Sequence, residues 1–376
     1  MAENSLVGTV ARGIRMPVFR EGDDLATIVT DNILTAAAAG DFQIRDHDVI
    51  AITESVVART EGNYVSVDDI AESLREEYGD NVYYRVHNPI YSRNRFAMIL
   101  KGIARASNEK VCLYMPDEDE VGNVCHYIGT DGTDCYEHPV TKVNYRQYYK
   151  EIIEGEGKKC RFVDEGYENV PSRYITIDCS LRPAEDLQKW PKWGYITLSD
   201  ICNKKTDKHG YNEEYGLLGS NKATEELLKL FPKQSTCEEI VESVRSQIKE
   251  ETGKNVEVMI YGDGAYKDPS TGIWEFADPV VSPAHTKALD GHPCEIKLKA
   301  FADDEFRNLR GEELTNAVKK KVDKAKNYVM NKMESQGTTP RKFCDLLGSL
   351  ADLVSGSGDK GTPVVLIQGY FDKYCD

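Results

Sequence analysis

One stretch near the C-terminus constrains this chain most: CDLLGSLADLVSGSGDKGTPVVLIQGY, residues 344–370. Leu346, Leu347, Leu350, Leu353 and Val354 recur at helical spacing and predict a core-packed helix, with Pro340 suited to its first position. The apolar run from Val364 to Ile367 reads as a buried strand. Between them lies SGSGDKG. Taken alone, a Ser/Gly run fits an exposed connection, but glycine also lets backbone N–H groups converge on an anion. A run set between a core helix and a core strand favours the second use, because a linker would join two domains.

Further signals precede it. GDDLATIVTDNILTAAAAG offers Asp23 or Asp24 as an N-cap, apolar residues at helical spacing, and a stop at Gly40. DVIAITESVV reads as a buried strand and EGNYVSV as a short one, after which Asp68 or Asp69 can cap AESLREEYG. In HGYNEEYGLLGSNKATEELLKLFP, Ser220 or Asn221 can cap a helix starting near Lys222, whose free N–H groups would suit an anion. Thr236 and Glu239 form a capping box that opens CEEIVESVRSQIKEETG, with Gly253 to end it. NVEVMIYGDG then alternates Val256, Val258 and Ile260 and delivers Asp263 to the strand's C-terminal end, where α/β sheets place ligand sites. A long charged helix is expected within GEELTNAVKKKVDKAKNYVMNKMES. Residues 88–205 differ in texture, with an acidic DEDE run expected as a solvated loop, a Tyr-rich segment and the strands VCLYMP and YITIDC. Helix and strand signals alternate as in an α/β or α+β protein.

The net charge of −16 disfavours nucleic acid and anionic membrane as partners. The N-terminus lacks an apolar leader and no apolar run reaches a membrane-spanning length, so a cytoplasmic address is expected. Ten cysteines without a C-x-x-C pair read as reduced, mostly buried residues. Asp263, between two glycines, is the best candidate ligand for Mg²⁺ or Mn²⁺, and Asp268 and Asp278 can add oxygens to the same ion. Each also fits an ordinary turn. His285 and His292 lack a neighbouring acidic or cysteine ligand and read as structural.

Together the segments resemble the γ-glutamyl ligases that add glutamate to the deazaflavin coenzyme F(420). MPVFREGDDLATIV and DVIAITESVVARTEGNYVSVDDI are similar to that family's opening blocks. HGYNEEYGLLGSN and EEIVESVRSQIKEETGKNVEVMIYGD are similar to its central turn, helix and strand end, and residues 343–371 to its last helix, nucleotide loop and strand. The resemblance implies an α+β fold forming an intertwined homodimer, built from residues 1–87 and 206–376 around an inserted α/β domain at 88–205. It implies an ATP- or GTP-dependent enzyme that uses Mg²⁺ or Mn²⁺ to activate a small-molecule carboxylate and couple it to an amino acid such as L-glutamate.

Carried over residue by residue, the resemblance places Met16, Pro17, Val18, Phe19, Arg59, Ser220, Asn221 and the loop Gly356, Ser357, Gly358, Asp359, Lys360, Gly361 and Thr362 at the nucleotide, and Asp263 at the metal. Arg59 stands for a lysine. Leu218 and Gly264 replace two further metal contacts, so Asp268, Asp278, Glu213 or Glu214 must rebuild the site, or the metal chemistry is weakened. A non-catalytic nucleotide- or anion-binding homologue is the alternative reading.

Overall fold

The computed structural model describes residues 7–91, 94–119, 122–163, 174–179, 194–262, 266–267, 274–275, 281–293, 298–324, 341–356 and 360–372. Along the chain come β1 (Val10–Ile14), α1 (Leu25–Ala39), β2 (Val49–Thr53), α2 (Glu54–Glu61), β3 (Tyr64–Ser66), α3 (Val67–Tyr78) and β4 (Tyr83–His87). Next are α4 (Arg95–Ala106), β5 (Lys110–Tyr114), the two-residue strands β6 (Tyr127–Ile128) and β7 (Asp134–Cys135), α5 (Tyr145–Gly155), β8 (Lys159–Phe162), β9 (Tyr174–Asp178) and β10 (Tyr195–Thr197). The remainder holds β11 (Ser220–Lys222), β12 (Leu227–Leu230), α6 (Gln234–Thr252), β13 (Glu257–Gly262), β14 (Tyr266–Lys267), β15 (Trp274–Glu275), β16 (Val281–His285), α7 (Leu298–Asp303), α8 (Gly311–Lys324), α9 (Phe343–Ser355) and β17 (Val364–Gln368). The fold is α+β.

The first sheet runs β1-β17-β2-β13-β16 and joins the two ends of the chain, since β17 pairs antiparallel with both β1 and β2. Its central strands β17, β2 and β13 are apolar through their middles, with Gln368, Thr53 and Glu257 at their ends, because both faces are covered. Ile50, Ile52, Val258, Ile260, Val364 and Leu366 face the core shared with α1 and α6. Val49, Ala51, Met259, Tyr261, Val365 and Ile367 face Leu347 and Ala351 of α9. Each large aliphatic side chain buried this way contributes about 1.5–3 kcal/mol.

A second sheet, β10-β9-β4-β5-β8, is wholly parallel, with α4 and α5 as crossovers. Its middle strand is β4. A third, antiparallel sheet, β11-β12-β3, joins residues near 64 to residues near 225.

Several local expectations are corrected. The segment after Ser220 is a hairpin and not a helix: Leu228 and Leu230 are buried, and pairing of β12 with β3 outweighs local helix propensity. Helix α3 is capped by Ser66, whose hydroxyl accepts the Asp69 N–H at 3.1 Å while Asp69 accepts the Ser66 N–H at 2.6 Å, so Asp69 is the distal half of a capping box. Helix α6 begins at Gln234, and Thr236 donates its hydroxyl to Glu61 at 2.7 Å instead of capping. Leu353 on α9 is 76% exposed, because the buried stripe is the narrower set Cys344, Leu347, Gly348 and Ala351. Within the acidic run, Asp119 is buried. Asp24 does cap α1 and Gly253 closes α6 in the left-handed conformation, as read. Pro340 lies outside the described residues.

Candidate functional site

Where the three-stranded sheet meets the first sheet, a cavity of about 600 Å³ opens. Four walls built from distant parts of the chain enclose it. Met16, Pro17, Val18 and Phe19 form the first, beyond β1. Phe19 is buried while Val18 is 78% exposed. The Met16 N–H donates to the Gly361 carbonyl at 2.9 Å, fixing this stretch against the C-terminal loop.

The second wall is the start of α2. β2 ends at Thr53, whose N–H donates to the Pro363 carbonyl at 3.0 Å, and the helix begins immediately with Glu54. Sequence reasoning ran this strand on through Val57; Thr53, in extended conformation, instead caps the helix. Glu54 is 4% exposed. Its carboxylate accepts from Thr53 Oγ1 at 2.8 Å and, at 3.4 Å, from the Asn221 amide. Gly262, at the end of β13, is forced to be glycine by this side chain, since a Cβ there would stand 2.5 Å from Glu54 Cδ. Arg59, further along α2, also lines the cavity.

The third wall is a row across the small sheet. Asn221 on β11 faces Lys229 on β12, which in turn faces Tyr64 on β3, and all three line the cavity. Ser220, by contrast, is wholly buried and donates its hydroxyl to the Leu217 carbonyl at 2.6 Å. The Lys229 ammonium donates to the Ser55 carbonyl at 3.2 Å and to the Ser55 hydroxyl. Burial pulls its pKa below the ordinary lysine value; Glu54 opposes that shift and Arg59 adds to it.

The fourth wall is the end of α9 with the loop after it: Asp352, Ser355, Gly356, Gly361, Thr362 and Pro363. Gly356 takes a positive φ of 61°, and Lys360 folds back so closely that a Cβ on Gly356 would meet its ammonium at 2.6 Å. Thr362 donates its hydroxyl to the Ser355 carbonyl at 3.0 Å, closing the turn. Ser357, Gly358 and Asp359 lie outside the described residues, as do Asp263, Asp268 and Asp278.

Of the residues expected at a nucleotide, Met16 to Phe19, Arg59, Asn221, Gly356, Gly361 and Thr362 share this cavity. Sequence reasoning missed Thr53, Glu54, Ser55, Lys229 and Asp352. Lys229 was legible in principle: read as a strand, LLKL sets it on the face opposite Leu228 and Leu230.

Chemically the described lining suits an anion. Three cations, Arg59, Lys222 and Lys229, line the cavity; Lys229 is held against Ser55 in the first turn of α2, where the helix's partial positive charge adds to its own. The described carboxylates on the cavity are Glu54 and Asp352, and both Glu54 oxygens already accept hydrogen bonds. Leu218 packs on the apolar core and is not on the cavity lining. The described donors alone therefore do not make a divalent-cation site. Elsewhere Asp119, Cys125 and His138 come together, with ligand atoms within 4.8 Å. His138 Nδ1 accepts the N–H groups of Val140 and Thr141, at 3.2 and 3.0 Å, which puts the proton on Nε2, facing Asp119 at 3.0 Å. That tautomer makes a hydrogen-bonded pair and leaves no ring lone pair for a metal.

An α+β protein with an anion-suited cavity is the class that fold and site define. The family model for F420-0:gamma-glutamyl ligase matches residues 13–369, and the chain belongs to that family. No curated protein matches it significantly. A ligase role follows from the family.

Proposed function

We propose that the cavity binds ATP or GTP and that the chain uses it to phosphorylate a small-molecule carboxylate, which an amino acid such as L-glutamate then attacks. The observation carrying this reading is that one cavity gathers residues 16–19, Arg59, Asn221, Gly356, Gly361 and Thr362, although they are spread along almost the whole chain. In the first step the terminal P–O bond of the nucleotide breaks as a carboxylate oxygen bonds to phosphorus, and the diphosphate leaves. In the second the amine attacks the carbonyl carbon, phosphate departs, and the amine proton passes to solvent.

The chain's part is to hold charge in place. Phosphoryl transfer is governed by positioning and electrostatic stabilisation, for which Arg59 and the α2 N-terminus supply fixed positive charge. When bound, Mg²⁺ or Mn²⁺ would neutralise phosphate charge, with Asp263, Asp268 and Asp278 as the proposed contacts. The remaining proposed nucleotide contacts are Ser357, Gly358, Asp359 and Lys360. We also propose the intertwined homodimer, the inserted domain at 88–205 and a cytoplasmic address for this chain.

Calorimetric titration with ATP and with GTP, with and without Mg²⁺ or Mn²⁺, tests the site. Binding that Arg59→Ala weakens about tenfold is expected, the scale of one charge-assisted hydrogen bond. Absence of binding to either nucleotide overturns the reading. Leu218 favours a second one, a nucleotide-binding homologue without transfer chemistry, and glutamate-dependent phosphate release separates the two.

A further inference from the structure

We infer that Lys229 is a phosphate-contacting residue of the cavity, a side-chain cation built into the three-stranded sheet beside Asn221. The inference rests on the nucleotide reading above and extends it to a residue outside the resemblance.

Three observations support it. Lys229 lies directly opposite Asn221 in the β11–β12 register and lines the same cavity, so a ligand touching the Asn221 side chain is within reach of the neighbouring ammonium. It is one of three cations on the described lining, with Arg59 and Lys222, and its bonds to Ser55 hold it against the first turn of α2. Its ammonium is part-buried, where burial disfavours the charge and each added partner offsets that penalty. The ammonium has three N–H donors, and the Ser55 carbonyl and hydroxyl take two of them. The third is available to a phosphate oxygen in the cavity.

The charge arithmetic adds a reason for a lysine here. Leu218 packs against apolar residues and brings no carboxylate to hold a second cation. A fixed ammonium neutralises one unit of phosphate charge at the same cavity without a metal. The surrounding hydrogen bonds hold it there, whereas a free surface lysine would lose side-chain entropy on binding.

The test is calorimetry on the full chain with nucleoside, nucleoside monophosphate, nucleoside triphosphate and inorganic tripolyphosphate, each in chelator and in Mg²⁺. Lys229→Met keeps the length and removes the charge. It should weaken triphosphate and tripolyphosphate binding about tenfold or more in chelator, and leave the nucleoside within about twofold. Lys229→Arg should recover part of the loss. Where Lys229→Met does not fold, acylation of wild-type lysines read by mass spectrometry serves instead: tripolyphosphate should protect Lys229 and leave exposed lysines such as Lys249 reactive. Equal triphosphate affinity in wild type and Lys229→Met, or no protection of Lys229, overturns the inference while leaving the nucleotide site standing. Absence of any nucleotide binding by the wild type overturns the site itself.

Discussion

The Met16 N–H and the Gly361 carbonyl meet at 2.9 Å, so the first and last walls of the cavity are held together by a backbone hydrogen bond between residues at opposite ends of the chain. Gly361 makes this bond from a left-handed backbone, φ 67°, with open space where a Cβ would stand. Gly361→Ala therefore adds conformational strain and no clash, costing about 1–2 kcal/mol. Gly253 at the end of α6, with φ 72° and equally open surroundings, is the matched control. Urea melts should show similar losses for Gly361→Ala and Gly253→Ala, whereas nucleotide titration should weaken only for the first. Unchanged nucleotide affinity in Gly361→Ala would separate this turn from the ligand.

Asn63 is the polar clasp between α2 and the small sheet. Its side chain is buried, donates to the Tyr211 and Phe231 carbonyls at 3.0 and 2.6 Å, and accepts from the Tyr211 N–H at 3.0 Å. Asn63→Ala removes both bonds to Tyr211 and leaves the Phe231 carbonyl only the longer bond from the Asn212 amide at 3.4 Å, and should cost about 2–3 kcal/mol. A thermal melt within a degree or two of wild type would show that water replaces the side chain.

The three central strands of the first sheet were legible because both faces are buried and they read as apolar runs, from DVIAIT to VVLIQ; the edge strands β1 and β16 were not. In the small sheet β3 was legible in EGNYVSV, and β11 and β12 were not. GSNK and LLKL are short, and TEEL between them looks helical locally; only their pairing with each other and with Tyr64–Ser66 makes them strands, which is a relation between distant residues. Misreading that segment hid Lys229 and left Asn221 as a cap. Glu54 was hidden differently: TESVV continues an apolar run, and the Thr53 cap that turns strand into helix depends on backbone geometry. The glycine turn was legible from its place between a core helix and a core strand, whereas Arg59 and Met16–Phe19 were found through the resemblance, since nothing in their local pattern brings them to it.

His87 predicts an acid limb for the parallel sheet. It is buried at the end of β4, stacked on Tyr114 with ring centroids 5.0 Å apart, and burial together with the Arg85 charge pulls its pKa from 6.5 down to about 4. With the folded pKa depressed, the unfolded chain binds the extra proton first as pH falls. The stabilisation is therefore full above pH 6.5 and lost between 6.5 and 4, up to about 3 kcal/mol. His87→Phe, which keeps an aromatic ring against Tyr114, should flatten the urea midpoint over that interval. A wild-type midpoint independent of pH there contradicts the shift.

Glu54 should set the pH range over which the cavity holds an anion. Its charge raises the pKa of Lys229, while burial, the largest effect, and Arg59 lower it. Lys222 and Asp352 are the other charged groups on the lining, from β11 and α9. Glu54→Gln keeps the hydrogen-bonding shape towards Thr53 and Asn221 and removes the charge. Below the Lys229 pKa, the loss of a nearby negative charge should tighten tripolyphosphate binding in chelator about threefold to tenfold, the scale of one part-screened charge pair. As pH rises, the ammonium should lose its proton earlier in Glu54→Gln than in wild type, and affinity should fall at a lower pH. Titrations of both proteins in one buffer series across pH 7 to 10.5 measure the displacement. Coincident pH profiles would mean that Lys229 does not carry the anion's charge.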